Sequence, residues 1–289
     1  MGNNHHISYD LKDAAYNESD VSKYHLSLEL DANSLRYAVF DLKKYKYILF
    51  KEYQLNDDLG LRLSELESIF ISDSLLQDNF YTKSFTLNIN GSVIIPNSLF
   101  DFSQREKILA LSENFVPDKD VIINESIKNL DSTLLYSIDA RLYNIIKNSA
   151  TKDFLLIHQH NVLINSLISK YKNNFSGYKL CINFRRNHID ILLFKAQDLL
   201  IANYFKHNSV NDIVYYVNYL IDIFKLNQAD FDLVMLGEID KRSMIYDKLK
   251  IYVKEISFCS RNESFNYSYI FDDFGENMYY VLLNSYQCV

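Results

Sequence analysis

The chain has 289 residues, is 48% hydrophobic, and carries a net charge of -7 with a pI near 5.5. Its length and apolar content suffice for one large domain or two lobes with real cores, which excludes a disordered chain. Its acidic balance, with "FRRN" as the densest arginine site, excludes a nucleic-acid backbone as the main partner, because neutralising phosphates takes a concentrated basic surface.

Cys181, Cys259 and Cys288 are odd in number and far apart. They read as reduced thiols with no paired spacing for zinc or redox work, which points to the cytoplasm. No apolar run approaches the roughly 18 residues of a membrane span, and the N-terminus lacks the apolar stretch of a signal peptide, so neither membrane insertion nor export is expected.

Residues 1–22 are polar and without periodicity, and are expected to form a flexible N-terminal tail. From Lys23, "YHLSLEL" alternates, setting His25, Ser27 and Glu29 against Leu26, Leu28 and Leu30; "LRYAVFDL" and "YKYILFKEYQL" follow after short polar turns. These predict a three-strand meander. Next, "SELESIFISDSLL" predicts a helix with Leu66, Ile69 and Phe70 on one face, opened by a Ser64–Glu67 capping box. Further strands are expected at "SFTLNI", "SVIIP", "VIIN", "TLLYSI" and "FLLIH". Helices are expected from Ser103 (capped by Glu106) and through "RLYNIIK" and "VLINSLISKY".

The same order then restarts. "YKLCINF", "HIDILLF" and "LLIANYF" form a second set of three strands, followed by a long helix opened by Ser209 and Asp212. Tyr24 and Tyr178 stand 178 - 24 = 154 residues apart, as do Phe40 and Phe194. A diverged duplication explains both copies. After it come a strand at "FDLVMLG", a helix through "MIYDKLKIYV" and a last helix near "ENMYYVLLNSY". Strands alternating with helices after an antiparallel meander predict an α/β fold of two lobes, each a mixed sheet in β-β-β-α-β-α order: a first lobe over 23–175 and a second over 176–289.

Two such lobes in one chain resemble the actin-like ATPases, a fold related to ribonuclease H. More narrowly, "LSLELDANSLRYAVFDLKKYKYILFKEYQL", "NLDSTLLYSIDARLYNIIK", "FRRNHIDILLFKAQDLLIANYF", "LGEIDKRSMIYDKLKIYV" and "YYVLLNSYQC" resemble an uncharacterised bacterial family of unknown function with that fold. The resemblance runs from about Lys23 to Cys288. It implies a nucleotide cleft between the lobes, held by a D-x-G turn in each and a Gly-Gly turn under the base.

Those motifs are degenerate in this chain. Close approach of backbone N–H groups to phosphate needs residues without bulk, and Mg²⁺ needs a carboxylate. Asp31 stands where the first Asp belongs, Asn33 replaces the Gly and Ser34 supplies a hydroxyl. Asn183 is read in place of the second Asp and Arg185 in place of its Gly, while Gly237 is followed by Glu238 instead of a second Gly. The plainer reading of Asp31 and Asn33 is an ordinary hairpin turn.

Other constellations are weaker. His158 and His160 in "IHQHN" lack a third ligand nearby, so no metal site is expected, and His5 and His6 lie in the expected tail. Glu29 and Asp31 resemble the first-strand carboxylates of ribonuclease-H-like nucleases, which need further acidic groups. On "NDIVYYVNYLIDIFK", Ile213, Val217, Leu220, Ile221 and Phe224 make one apolar stripe, and Val214, Tyr215, Tyr219 and Ile223 make much of the other side apolar or aromatic, as in a buried helix or an interface through Tyr215, Tyr216 and Tyr219.

The leading expectation is a non-catalytic binding or assembly module of actin-like fold, needing no cofactor and holding a protein partner or a second copy of itself. The alternative is a divergent ATPase or kinase binding Mg·ATP through Asp31, Ser34, Arg185 and Gly237. A nuclease centred on Glu29 and Asp31 is the third reading.

Overall fold

The computed structural model describes residues 5–111, 115–149, 154–172, 177–227 and 231–289. In chain order the strands are β1 (Ile7–Lys12), β2 (Tyr24–Leu30), β3 (Ser34–Asp41), β4 (Lys46–Gln54), β5 (Thr82–Leu87), β6 (Val93–Pro96), β7 (Asp120–Ile127), β8 (Ser132–Asp139), β9 (Phe154–His158), β10 (Tyr178–Phe184), β11 (His188–Lys195), β12 (Asp198–Lys206), β13 (Phe231–Gly237), β14 (Ile256–Phe258) and β15 (Asn266–Tyr267). The helices are α1 (Leu59–Ser72), α2 (Ser74–Gln77), α3 (Arg105–Leu109), α4 (Ala140–Ser149), α5 (Gln159–Tyr171), α6 (Val210–Phe224), α7 (Met244–Leu249) and α8 (Tyr280–Asn284).

The chain divides into two compact units. The first comprises residues 1–165, 263–272 and 281–289, and the second 166–262 and 273–280. The expected boundary at 175/176 lies outside the described residues; the two units meet in sequence within α5. C-terminal segments return to the first unit: β15 pairs with β4 at Lys46 and Tyr47, and Tyr47 Oη donates to Leu283 O at 2.9 Å.

In the first unit the main sheet runs β1-β4-β3-β2-β5-β9, and β6-β8-β7 form a separate three-stranded sheet. In the second the order is β12-β11-β10-β13-β14. Strand for strand, β4-β3-β2-β5-β9 matches β12-β11-β10-β13-β14. The meander strands β2, β3 and β4 have seven, eight and nine residues, and so do β10, β11 and β12. Even a bulge recurs, with Ile48 of β4 the extra residue opposite Val39–Phe40 and Leu200 of β12 the extra residue opposite Leu193–Phe194. A shared irregularity at one offset is strong support for duplication, because a bulge is a specific feature of a ladder.

Each sheet buries apolar side chains on the face that meets its helices. In the second unit Leu180, Ile182, Ile189, Ile191, Leu193, Leu233 and Met235 pack with Ile213, Val217 and Leu220 of α6. Ser209 and Asp212 do form the reciprocal capping box that opens α6.

Several expectations are corrected. The tail of residues 1–22 contains β1, antiparallel to β4, and a 3₁₀ turn at Glu18–Lys23. α1 begins not at Ser64 but at Leu59: Asp58 caps it by accepting Leu61 N–H at 3.0 Å, and Ser64 Oγ instead donates back to Gly60 O. The helix expected from Ser103 starts as a 3₁₀ turn capped by Asp101 and becomes α-helical only at Arg105. The helix through "MIYDKLKIYV" ends at Leu249, and α8 covers only Tyr280–Asn284. Among the described residues, no helix is long and apolar enough to cross a membrane.

Candidate functional site

The β2–β3 turn carries Asp31, Asn33 and Ser34. Asp31 N–H donates to Ser34 O at 2.9 Å, and the Asp31 carboxylate accepts Ala32 N–H at 2.6 Å. Asn33 O accepts Leu55 N–H at 2.7 Å, and Arg62 donates to Ala32 O. The turn is therefore tied down by its own side chains and by its neighbours. A backbone N–H that already serves Asp31 is not aimed at a phosphate.

Beside this turn lies a buried polar row on one face of the sheet. Glu29, Arg36 and Glu52 face one another across β2, β3 and β4 in register. Arg36 Nη1 lies 3.2 Å from Glu29 and Nε 2.6 Å from Glu52, with all three side chains nearly sealed from solvent. Two carboxylates thus share one guanidinium. Asn88 Nδ2 approaches Asp31 at 3.4 Å. Ser34 Oγ, Thr86 Oγ1 and Asn88 Oδ1 are buried and find no hydrogen-bond partner among the described residues. Three oxygens at neighbouring positions beside a carboxylate are what a water or a hard cation would satisfy.

The β10–β11 turn repeats the backbone geometry but not the chemistry. Arg185 N–H donates to His188 O at 2.9 Å, as Asp31 N–H does to Ser34 O. The ladder therefore equates Arg185 with Asp31, and Asn183 with Glu29, correcting by two residues the reading that set Asn183 in place of an Asp. Arg185 Nη2 lies 3.3 Å from Asp190, Asn183 Nδ2 donates to Asp190 at 3.0 Å, and the guanidinium lies 5.2 Å above the Tyr204 ring. Arg185 is only 6% exposed and Asp190 fully buried. Removing an ion pair from water makes each partner depend on the other, so this arginine is held inward.

Gly237 ends β13 with φ +79°. A Cβ there would run into Phe184 O and come within 2.7 Å of Asn183 Oδ1. Asn277 brackets the residue, donating to Gly237 O at 2.8 Å while its own carbonyl accepts Gly237 N–H. Strand packing and the positive φ are enough to require a glycine here. Glu238 is exposed, and its N–H donates to Phe184 O at 2.8 Å.

His158 and His160 pack ring to ring, 4.9 Å apart. His160 Nδ1 bonds Ser92 Oγ at 2.9 Å, and His158 Nδ1 accepts His160 N–H at 3.1 Å. Among the described residues no group of three His, Cys, Asp or Glu side chains is arranged to hold a metal. Cys181, Cys259 and Cys288 are buried free thiols.

α6 is not buried all round. Tyr215 and Tyr219 stack with centroids 6.1 Å apart and are 62% and 48% exposed, and Ile223 extends the stripe. Tyr216 turns inward, 4.5 Å from Phe205, and its hydroxyl donates to Lys206 O at 3.0 Å. Motif reading missed Asp190, Arg36, Asn88 and Asn277. The constant 154-residue offset, applied strictly, would have placed Arg185 at the position of Asp31.

The chain belongs to the DUF3822 family, described as a protein of unknown function, whose model matches residues 13–256. No curated protein matches it. It is similar to a Bacteroides thetaiotaomicron protein with an actin-like ATPase fold and unknown function: 18% identity, 85% of this chain and 94% of that one covered, TM-score 0.76. It is also similar to a structure of the PilM–PilN type IV pilus biogenesis complex: 9% identity, 92% and 98% covered, TM-score 0.68. These likenesses establish the actin-like ATPase fold.

Proposed function

We propose that this chain is a non-catalytic module of actin-like fold that works by binding another protein. The observation that carries the reading is the second turn. At the position of Asp31 it has an arginine buried against Asp190, so it offers neither a metal-holding carboxylate nor a cation turned outward to phosphate. Phosphoryl transfer rests on positioned cations and charge neutralisation, and this turn supplies neither. The similarity to a complex of PilM with PilN supplies the analogy for a protein partner.

One observation favours a second reading. Ser34 Oγ, Thr86 Oγ1 and Asn88 Oδ1, unsatisfied beside Asp31, are suited to a residual Mg·nucleotide contact in the first unit. Thermal unfolding with and without millimolar Mg·ATP or Mg·ADP separates the two. A ligand at about 100 times its dissociation constant stabilises a fold by about 2.7 kcal/mol, a shift of several degrees. The binding-module reading expects no shift and no turnover; a shift abolished by Asp31→Ala, accompanied by phosphate release, would replace it with a divergent ATPase.

A further inference from the structure

The two units treat the same sheet edge differently. In the first, the outer edge of β4 is covered along its length, by β15 at Lys46–Tyr47 and by β1 at Leu49–Tyr53. In the second, β12 is the equivalent strand and ends its sheet; among the described residues nothing pairs with its outer edge. β12 reads "DLLIANYFK", and between its charged ends it has neither charge nor proline. Edges left open in soluble proteins are normally blunted by such residues or by a covering element. The bulge at Leu200 does not keep a strand from the edge beside it: in β4 the covering strand β1 pairs Leu49–Tyr53 up to the equivalent bulge, and β15 takes the residues beyond.

A helix face changes in step with the edge. The N-caps Asp58 and Ser209 are 209 - 58 = 151 residues apart, and that offset carries buried Leu66 and Ile69 onto buried Val217 and Leu220. It also carries Ser64, Ser68 and Ser72 of α1 onto Tyr215, Tyr219 and Ile223 of α6. The serine face of α1 looks toward the covering strand: Ser68 Oγ bonds His5 Nε2 at 3.1 Å, just ahead of β1. By the same geometry the tyrosine face of α6 looks past β12, and Tyr215 abuts Tyr216, which packs on Phe205.

We propose that the chain forms a twofold dimer in which β12 pairs antiparallel with β12 of a second copy and α6 packs on α6 through Tyr215, Tyr219 and Ile223. Charge selects this occupant. β12 begins with Asp198 and ends with Lys206, so antiparallel self-pairing sets unlike charges together at both ends, and parallel pairing sets like against like. Small Ala202 falls at the centre, where the two backbones meet themselves. Two edge groups are engaged: Tyr204 N–H donates to the Asn203 side chain at 2.9 Å, a contact that strand addition replaces with a backbone bond, and Lys206 O at the strand's end accepts from Tyr216 Oη at 3.0 Å. Because Tyr204 N–H points outward, Ala202 N–H, two residues back, does too. Two five-stranded sheets thereby become one continuous sheet.

This inference deepens the binding-module reading by naming a partner, and light scattering on the full chain tests it. The expected mass at about 50 μM is twice 34.0 kDa. Ala202→Pro, which removes an outward N–H that the monomer does not need, returns the mass to that of a monomer. Asp198→Lys weakens association about tenfold, and the added Lys206→Asp restores it. If Ala202→Pro fails to fold, Tyr219→Glu and the charge swap decide. A wild-type monomer at that concentration, or a dimer indifferent to both Tyr219→Glu and Asp198→Lys, overturns the proposal. A monomer without ATP turnover sinks the dimer and spares the binding-module reading; a dimer that hydrolyses ATP does the reverse.

Discussion

The β2–β3 and β10–β11 turns are the same piece of backbone filled with opposite charges. Asp31 and Arg185 occupy one position, and Arg36 and Asp190 another, so each sheet end buries a cross-strand cluster of inverted polarity. In the first unit one cation serves two carboxylates, whereas in the second one cation and one anion cancel. The duplicated backbone tolerated this inversion because an ion pair needs matched partners, not a particular order of them.

The largest expected effect separates the two clusters. Arg36→Met leaves Glu29 and Glu52 buried against each other and should cost about 4 kcal/mol, read as a lower urea midpoint. Asp190→Leu should cost about 3 kcal/mol by stranding Arg185, and adding Arg185→Met should recover most of it. The comparison breaks if Arg36→Met is recovered by replacing Glu29 alone, because Glu52 would then carry no cost.

Gly237→Ala comes next. It places a Cβ against Phe184 O at positive φ and should lower stability by about 3 kcal/mol with no ligand present. Stability unchanged in that variant would mean that packing does not require the glycine and would reopen a ligand role for it.

How much of this was legible follows from where each constraint resides. Strand alternation, the Ser209 capping box and the 154-residue repeat are local or periodic, and each leads to the right element. Ser64–Glu67 misled because a capping pattern inside a helix looks like one at its start, and only the tertiary placement of Asp58 decides between them. β1 is six residues with an irregular exposure pattern and takes its order from pairing with β4. The return of residues 263–272 and 281–289 to the first unit is wholly non-local. Matching a D-x-G pattern by residue type placed Asn183 two positions out of register, because strand register and not residue likeness fixes equivalence.

Acidity gives a smaller handle on the first unit. Burial pushes the Glu125 carboxyl up from its usual 4.5 to about 7, against the lowering effect of bonds from Asn161 Nδ2 and His158 N–H. The folded chain then keeps a proton that the unfolded chain releases, so stability falls as pH rises from 4.5 to 7, by roughly 2–3 kcal/mol. Burial of His25 acts oppositely, lowering its pKa to about 3, so its contribution is lost as pH falls from 6.5 to 3. Glu125→Gln should remove the decline above pH 4.5 and leave the acid limb. A decline that survives in Glu125→Gln would assign it to another group.

The smallest effect on the folded chain tests the difference between the helices. Tyr219→Ser gives α6 the residue that α1 carries at Ser68. Tyr219 is 48% exposed and its ring meets chiefly Tyr215, so at concentrations too low for association the variant should melt within about 0.5 kcal/mol of wild type. At high concentration it should dissociate at least tenfold more readily, because a half-exposed tyrosine contributes most when a second surface covers it. The opposite exchange, Ser68→Tyr, puts a ring where His5 lies against α1 and should loosen the segment ahead of β1, raising its amide exchange. If Tyr219→Ser instead destabilises the dilute chain by 2 kcal/mol or more, the stripe belongs to the unit's own packing, and the edge of β12 must find its cover without it.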